Sequence, residues 1–169
     1  DLSVPNETVG EQCNRPQDCR GRSWCGPGSL DWPQMCRQAV PGRWRITAVS
    51  GEVEEFREDG TPWDEDGNRA PDPMVRFFFP DGQPEDTPIE ADNFFPAWNH
   101  SFEAHLTPFE FINACVYEAD ANERLELFRC FSFHGLEVFE IFQEGGQRTW
   151  RFNPGEDGGR LNELTLRFE

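Results

Sequence analysis

Leu161-Asn162-Glu163-Leu164-Thr165-Leu166-Arg167-Phe168 sets Leu164, Leu166 and Phe168 two residues apart, with Glu163, Thr165 and Arg167 between them. Successive side chains of an extended strand point to opposite faces of a sheet, so this period marks a strand with one buried and one wet face. Further back, residues 98–106 read the same way, with Trp98, Ser101, Phe102 and Leu106 expected inside and Asn99, Glu103 and His105 outside. Other short runs rich in β-branched and aromatic residues fall at 44–49, 74–79, 87–92, 111–118, 127–133, 137–143 and 149–152. Asp81-Gly82, Gly145-Gly146 and Asp157-Gly158-Gly159 punctuate them as turns. Many short strands separated by turn clusters predict an all-β antiparallel sandwich.

Composition agrees. The 169 residues include 16 Phe and 6 Trp against 1 Tyr and 2 Met, a core of large rigid rings, and 15 Gly with 14 Pro cut the chain often. No apolar run approaches the roughly 20 residues that a membrane-spanning helix needs. The net charge is −17 and all 15 basic residues are Arg. Such a field repels nucleic acid and, without an intervening cation, anionic lipid headgroups.

The chain divides by character at about residue 43. Residues 1–42 hold a polar tail and four of the 6 cysteines, Cys13, Cys19, Cys25 and Cys36, in a Gly/Pro/Arg-rich stretch too poor in apolar residues to build a core. Disulfides are the expected means of ordering it, which implies an oxidising compartment and a secreted, cell-surface or periplasmic protein. Zinc is the competing reading. The C-x5-C-x5-C-x10-C spacing lacks the tight hooks of zinc ribbons, and no His lies near. Residues 43–169 form the predicted sandwich.

Two segments concentrate carboxylates. The first, residues 59–73, contains Asp64, Asp66 and Asp72; the second, residues 118–126, contains Glu118, Asp120 and Glu126. Like charges this close repel unless solvent, Arg or a cation offsets them. Calcium takes about six to eight oxygens, so two acidic loops at one end of a sandwich suit it. Asp64-Glu65-Asp66-Gly67-Asn68 is no EF-hand: the flanks are Pro-rich and the required Gly and Glu positions fail.

Four segments in order carry a resemblance. Ala70-Pro71-Asp72-Pro73-Met74-Val75-Arg76 resembles the S-D-P-Y-V-K segment of C2 domains, the calcium- and phospholipid-binding modules of protein kinase C and synaptotagmin, with Asp66 six residues before Asp72. Asn93 to Phe102 is similar to the family's N-P-x-W-N-E-x-F strand, and Val116 to Ala121 to its V-x-D-x-D loop, whose third acid falls at Glu126. Thr149-Trp150 through Gly159-Arg160-Leu161 is similar to the closing W…G-x-L strand. The resemblance spans about residues 43–169 and implies an eight-stranded antiparallel C2-type sandwich in the circularly permuted type II order.

It also implies calcium ligands at Asp66, Asp72, Glu118, Asp120 and Glu126, supplemented by Asp64. Trp63 and Leu125 fall near the loop tips, where the resemblance implies membrane insertion; packing beneath the loops is the alternative. Neighbouring strands around the second loop would pair Cys115 with Cys130, two free thiols being the alternative. Glu118 and Glu126 stand where the family has Asp. The basic lipid-binding strand has become the acidic segment 87–92, and an extra acidic run from Glu52 to Asp59 precedes the first loop.

The expected function is calcium-dependent binding of phospholipid headgroups or a protein partner, with a calcium-independent adhesion or scaffold module as the alternative. An enzyme is not expected. Nothing marks a carboxylate pair as a glycosidase pair, and His100, His105 and His134 have no recognisable nucleophile partner.

Overall fold

The computed structural model describes residues 12–13, 23–25, 36–38, 42–63, 70–80, 82–107, 110–119, 125–153 and 159–169. The chain forms two compact units, Asp1–Gly42 and Arg43–Glu169. In the first, β1 (Ser23–Cys25) pairs antiparallel with β2 (Cys36–Gln38), which sets Cys25 opposite Cys36 in the backbone register. Cys13 is buried and disulfide-bonded. Cys19 lies outside the described residues.

The second unit is a sandwich of two four-stranded antiparallel sheets. One has the order β6-β3-β10-β9 and the other β5-β4-β7-β8. Its elements are β3 (Gly42–Val53), β4 (Pro73–Phe78), β5 (Glu85–Asp86), β6 (His100–Leu106), β7 (Phe111–Ala119), β8 (Leu125–His134), α1 (Gly135–Gln143), β9 (Gln147–Arg151) and β10 (Leu161–Phe168). The first acidic segment therefore joins the first and second sandwich strands, and the second joins the fifth and sixth. That is the type II order.

Alternation builds the core. Leu164, Leu166 and Phe168 of β10, Phe102, Ala104 and Leu106 of β6, and Val75 and Phe77 of β4 meet between the sheets. Each fully buried large side chain contributes about 1.5–3 kcal/mol of hydrophobic stabilisation. Ser101 turns outward instead of in, since it shares a face with Glu103 and His105, and its hydroxyl bonds Thr47 Oγ1 at 2.8 Å. Trp98 lies over Gly51, where an added Cβ would come within 3.1 Å of the indole, and donates to Pro73 O at 3.1 Å.

Two expected strands differ. Residues 137–143, read as a strand, belong to the helix α1. His134 caps it, its Nδ1 accepting from Glu137 N at 3.1 Å, and Val138 and Ile141, three residues apart, are buried together on one helical face. Gly145 and Gly146, at φ 120° and 78°, end it in a backbone region that favours glycine. The strand expected at 87–92 does not form; the short strand β5, Glu85–Asp86, ends just before it. Thr87 N still reaches Val75 O at 2.9 Å, but Pro88 has no N–H to continue the ladder, and Asp92 turns at φ 55°.

Candidate calcium-binding loops

Strand register sets the site. Pro73 on β4 pairs with Glu118 on β7, and Glu118 pairs with Glu126 on β8, so Glu118 and Glu126 share a register row at one end of the sandwich, with Asp72 one residue before its β4 member. The first acidic loop enters beside this row at Asp72, and the second spans the gap between Ala119 and Leu125, which are themselves partners. Of the six expected ligands, these three are described. Asp64, Asp66 and Asp120 lie outside the described residues.

The described three are engaged within the fold. Glu118 is fully buried, and its Oε2 accepts from Asp72 N at 2.8 Å, a link across 46 residues that ties the bases of the two loops. Asp72 in turn accepts at Oδ1 from Asp92 N at 2.8 Å, which draws in the turn before β6. Pro71 O accepts from Asn93 N at 2.8 Å, and Asp72 O from Ala119 N at 3.1 Å. Glu126 pairs with Arg57 Nε at 3.3 Å, with side chains 40% and 25% exposed, respectively.

Each carboxylate has two oxygens with about four lone-pair sites, the kind of donor a hard cation takes. Among the described residues no group of three or more acids, His or Cys is arranged to hold a metal. The donor chemistry is oxygen-only and suits a hard cation such as calcium.

Trp63 does not offer itself as a loop-tip contact. It is 2% exposed, its ring lies 4.5 Å from that of Phe128, and its Nε1 donates to Glu54 O at 2.7 Å. A large ring with one N–H gains more from packing and a carbonyl than from facing water. Leu125 is half-buried at the start of β8.

Arg57, which no motif singled out, lies over the Trp63 ring at 5.4 Å while holding Glu126. The turn beyond it is pinned by the Phe56–Pro62 bridge and by Asp59, which accepts from both the amide and the hydroxyl of Thr61. Those bonds hold the exposed Asp59 carboxyl below its ordinary range. The only sequence signal for this arrangement was one Arg within an acidic run.

Behind the second loop Cys115 and Cys130, register partners on β7 and β8, form a disulfide with Cα atoms 4.1 Å apart. No helix among the described residues is long and apolar enough to cross a membrane.

No protein-family model matches the sequence, and no curated protein matches it. Solved structures do. A C2 domain of plant Extended Synaptotagmin 1 superposes with a TM-score of 0.54 at 15% identity, covering 78% of this chain and 95% of that one. The calcium-bound pair of C2 domains from Extended-Synaptotagmin 2 gives 0.57 at 16%, covering 78% and 46%. Human GIVD cytosolic phospholipase A2 gives 0.54 at 16%, covering 77% of this chain but 15% of that one, so the likeness carries nothing of that enzyme's activity. The second unit has the C2 fold.

Proposed function

We propose that residues 43–169 form a calcium-binding C2-like module that engages phospholipid headgroups or a protein partner through its acidic loop end and performs no catalysis. The observation that carries this reading is the register row Pro73–Glu118–Glu126, with Asp72 beside it bonded to Glu118, which brings the bases of the two acid-rich loops to one end of the sandwich. Asp64, Asp66, Asp72 and Asp120 supply the shorter-armed ligands. Glu118 and Glu126 supply the longer-armed ligands. The Cys115–Cys130 disulfide supports an oxidising setting, hence a secreted, cell-surface or periplasmic protein, with residues 1–42 as a disulfide-ordered extension.

Calorimetry tests it. Calcium should release heat with the native chain, and at tenfold saturation it should stabilise the fold by about 1.4 kcal/mol per site. Asp72→Asn and Asp120→Asn should each reduce that heat; unchanged heat in both overturns the ligand assignment.

One observation favours a second reading. Glu118 and Glu126 already have partners within the fold, as they would in a calcium-independent adhesion or scaffold module. Absence of any thermal stabilisation at millimolar calcium selects that reading.

A further inference from the structure

The acidic run from Glu52 to Asp59 has no place in the loop motifs. Where β3 ends, the first five residues of this run, Glu52 to Phe56, line a cleft of about 530 Å³ together with Phe94, Phe95, Arg160 and Asn162. Glu52 and Glu54 flank the inward-facing Val53 and so face away from the core. Three carboxylates, of Glu52, Glu54 and Glu55, line the cleft against a single guanidinium. Arg160 is committed to Glu54 in a well-shielded ion pair, with side chains 18% and 14% exposed. The charge left for a ligand is therefore that of Glu52 and Glu55.

Beside this charge stand two rings that the fold leaves in water. Phe95 is 68% exposed and Phe56 39%. Phe95 is nonetheless fixed at its backbone. Its N–H donates to Asn93 Oδ1 at 2.9 Å, and the carbonyls on either side, of Phe94 and Pro96, accept from Val53 N and Gly51 N at 3.0 Å each. A solvated aromatic on a held backbone meets a partner without a large ordering cost, which is how interface anchors behave.

Carboxylates beside exposed aromatic faces recognise cations, and of the biological cations a guanidinium uses both features. It stacks flat on a ring and pairs bidentately with a carboxylate. We propose that this cleft docks an arginine-bearing basic segment of a protein partner, one guanidinium stacked on Phe95 with its charge met by Glu55 and Glu52. A lipid headgroup fits less well, because its phosphate would face the same uncompensated charge of Glu52 and Glu55. The −17 net charge adds long-range steering of a basic partner, but steering alone is indifferent to Phe95.

That indifference makes the test. A labelled, acetylated hexa-arginine peptide is titrated into the full chain by fluorescence anisotropy in EDTA at moderate salt. Phe95→Ala should weaken binding roughly tenfold and Glu55→Gln severalfold. Phe111→Ala, which removes a comparably exposed ring elsewhere, should leave it unchanged. No binding by the native chain, or equal binding by Phe95→Ala, overturns the proposal, the latter assigning the affinity to net charge alone. Phosphatidylcholine vesicles that bind the native chain and lose binding in Phe95→Ala would overturn it in favour of a lipid. Because calcium is absent throughout, failure of the calcium reading leaves this measurement untouched.

Discussion

The second acidic loop leaves β7 and returns on β8 between strands that the Cys115–Cys130 disulfide joins directly, with the buried Glu118 at its base. The first leaves β3 and returns on β4 with no covalent tie, its base held by Trp63 on Phe128, Arg57 over Trp63, and the Thr61 cap on Asp59. One loop is constrained by a bond that acts mainly on the unfolded chain, the other by packing that exists only in the folded state. Carboxylates that look alike in sequence are accordingly put to different uses. Glu118 is a buried joint between the loops, Glu126 the partner of an arginine, and Asp59 a turn cap.

The largest effect should come from the packed side. Trp63→Ala removes a ring that fills the space under the first loop and strands the Glu54 carbonyl it bonds, and should cost about 3–5 kcal/mol in urea denaturation. A loss under about 1 kcal/mol would mean that the first loop is not held this way. On the stapled side, Cys115→Ser with Cys130→Ser opens a loop of sequence separation 15 and should cost about 3 kcal/mol in the chain-entropy model. If the disulfide also pre-orders the carboxylates, calcium affinity in this double variant should fall by more than in a variant equally destabilised at a distant core site.

The strand side of this architecture was legible because alternation over Leu161–Phe168 and residues 98–106 can be satisfied by a half-buried strand and by little else. Residues 137–143 were not. Val138, Phe139, Ile141 and Phe142 fit a strand or a helix over so short a run, and the deciding features are a histidine cap at His134 and a pair of left-handed glycines that sequence weighs lightly. That the bases of the two acidic loops adjoin was legible through motif order and spacing. The inward turn of Trp63 was not, because whether a ring at a loop base packs or protrudes depends on Phe128, far away in sequence on β8. Nor was the bond from Asp72 N to Glu118, since register decides it.

Glu118 separates joint from ligand. Glu118→Ala leaves the Asp72 amide without its acceptor and should cost about 1–3 kcal/mol. Glu118→Gln keeps an acceptor oxygen and should recover most of that loss, while still weakening calcium if the charge is needed at the ion. Recovery of both stability and calcium heat would make Glu118 a joint only.

The smallest effect is expected at the noncovalent tie between the two loops. Arg57 and Glu126 are partly exposed, so neutralising either should cost under about 1 kcal/mol, and less at high salt. Its value lies in direction. If Glu126 is a calcium ligand, Arg57 competes with the ion for one carboxylate, and binding calcium must first offset that pair. Arg57→Gln should then tighten calcium severalfold although it slightly loosens the fold, whereas Glu126→Gln should weaken calcium at a similar stability cost. If Glu126 serves only to hold Arg57 over Trp63, both substitutions should shift calcium affinity the same way, through loop disorder alone. Paired calorimetry of the two variants at low and high salt distinguishes opposite signs from a common one.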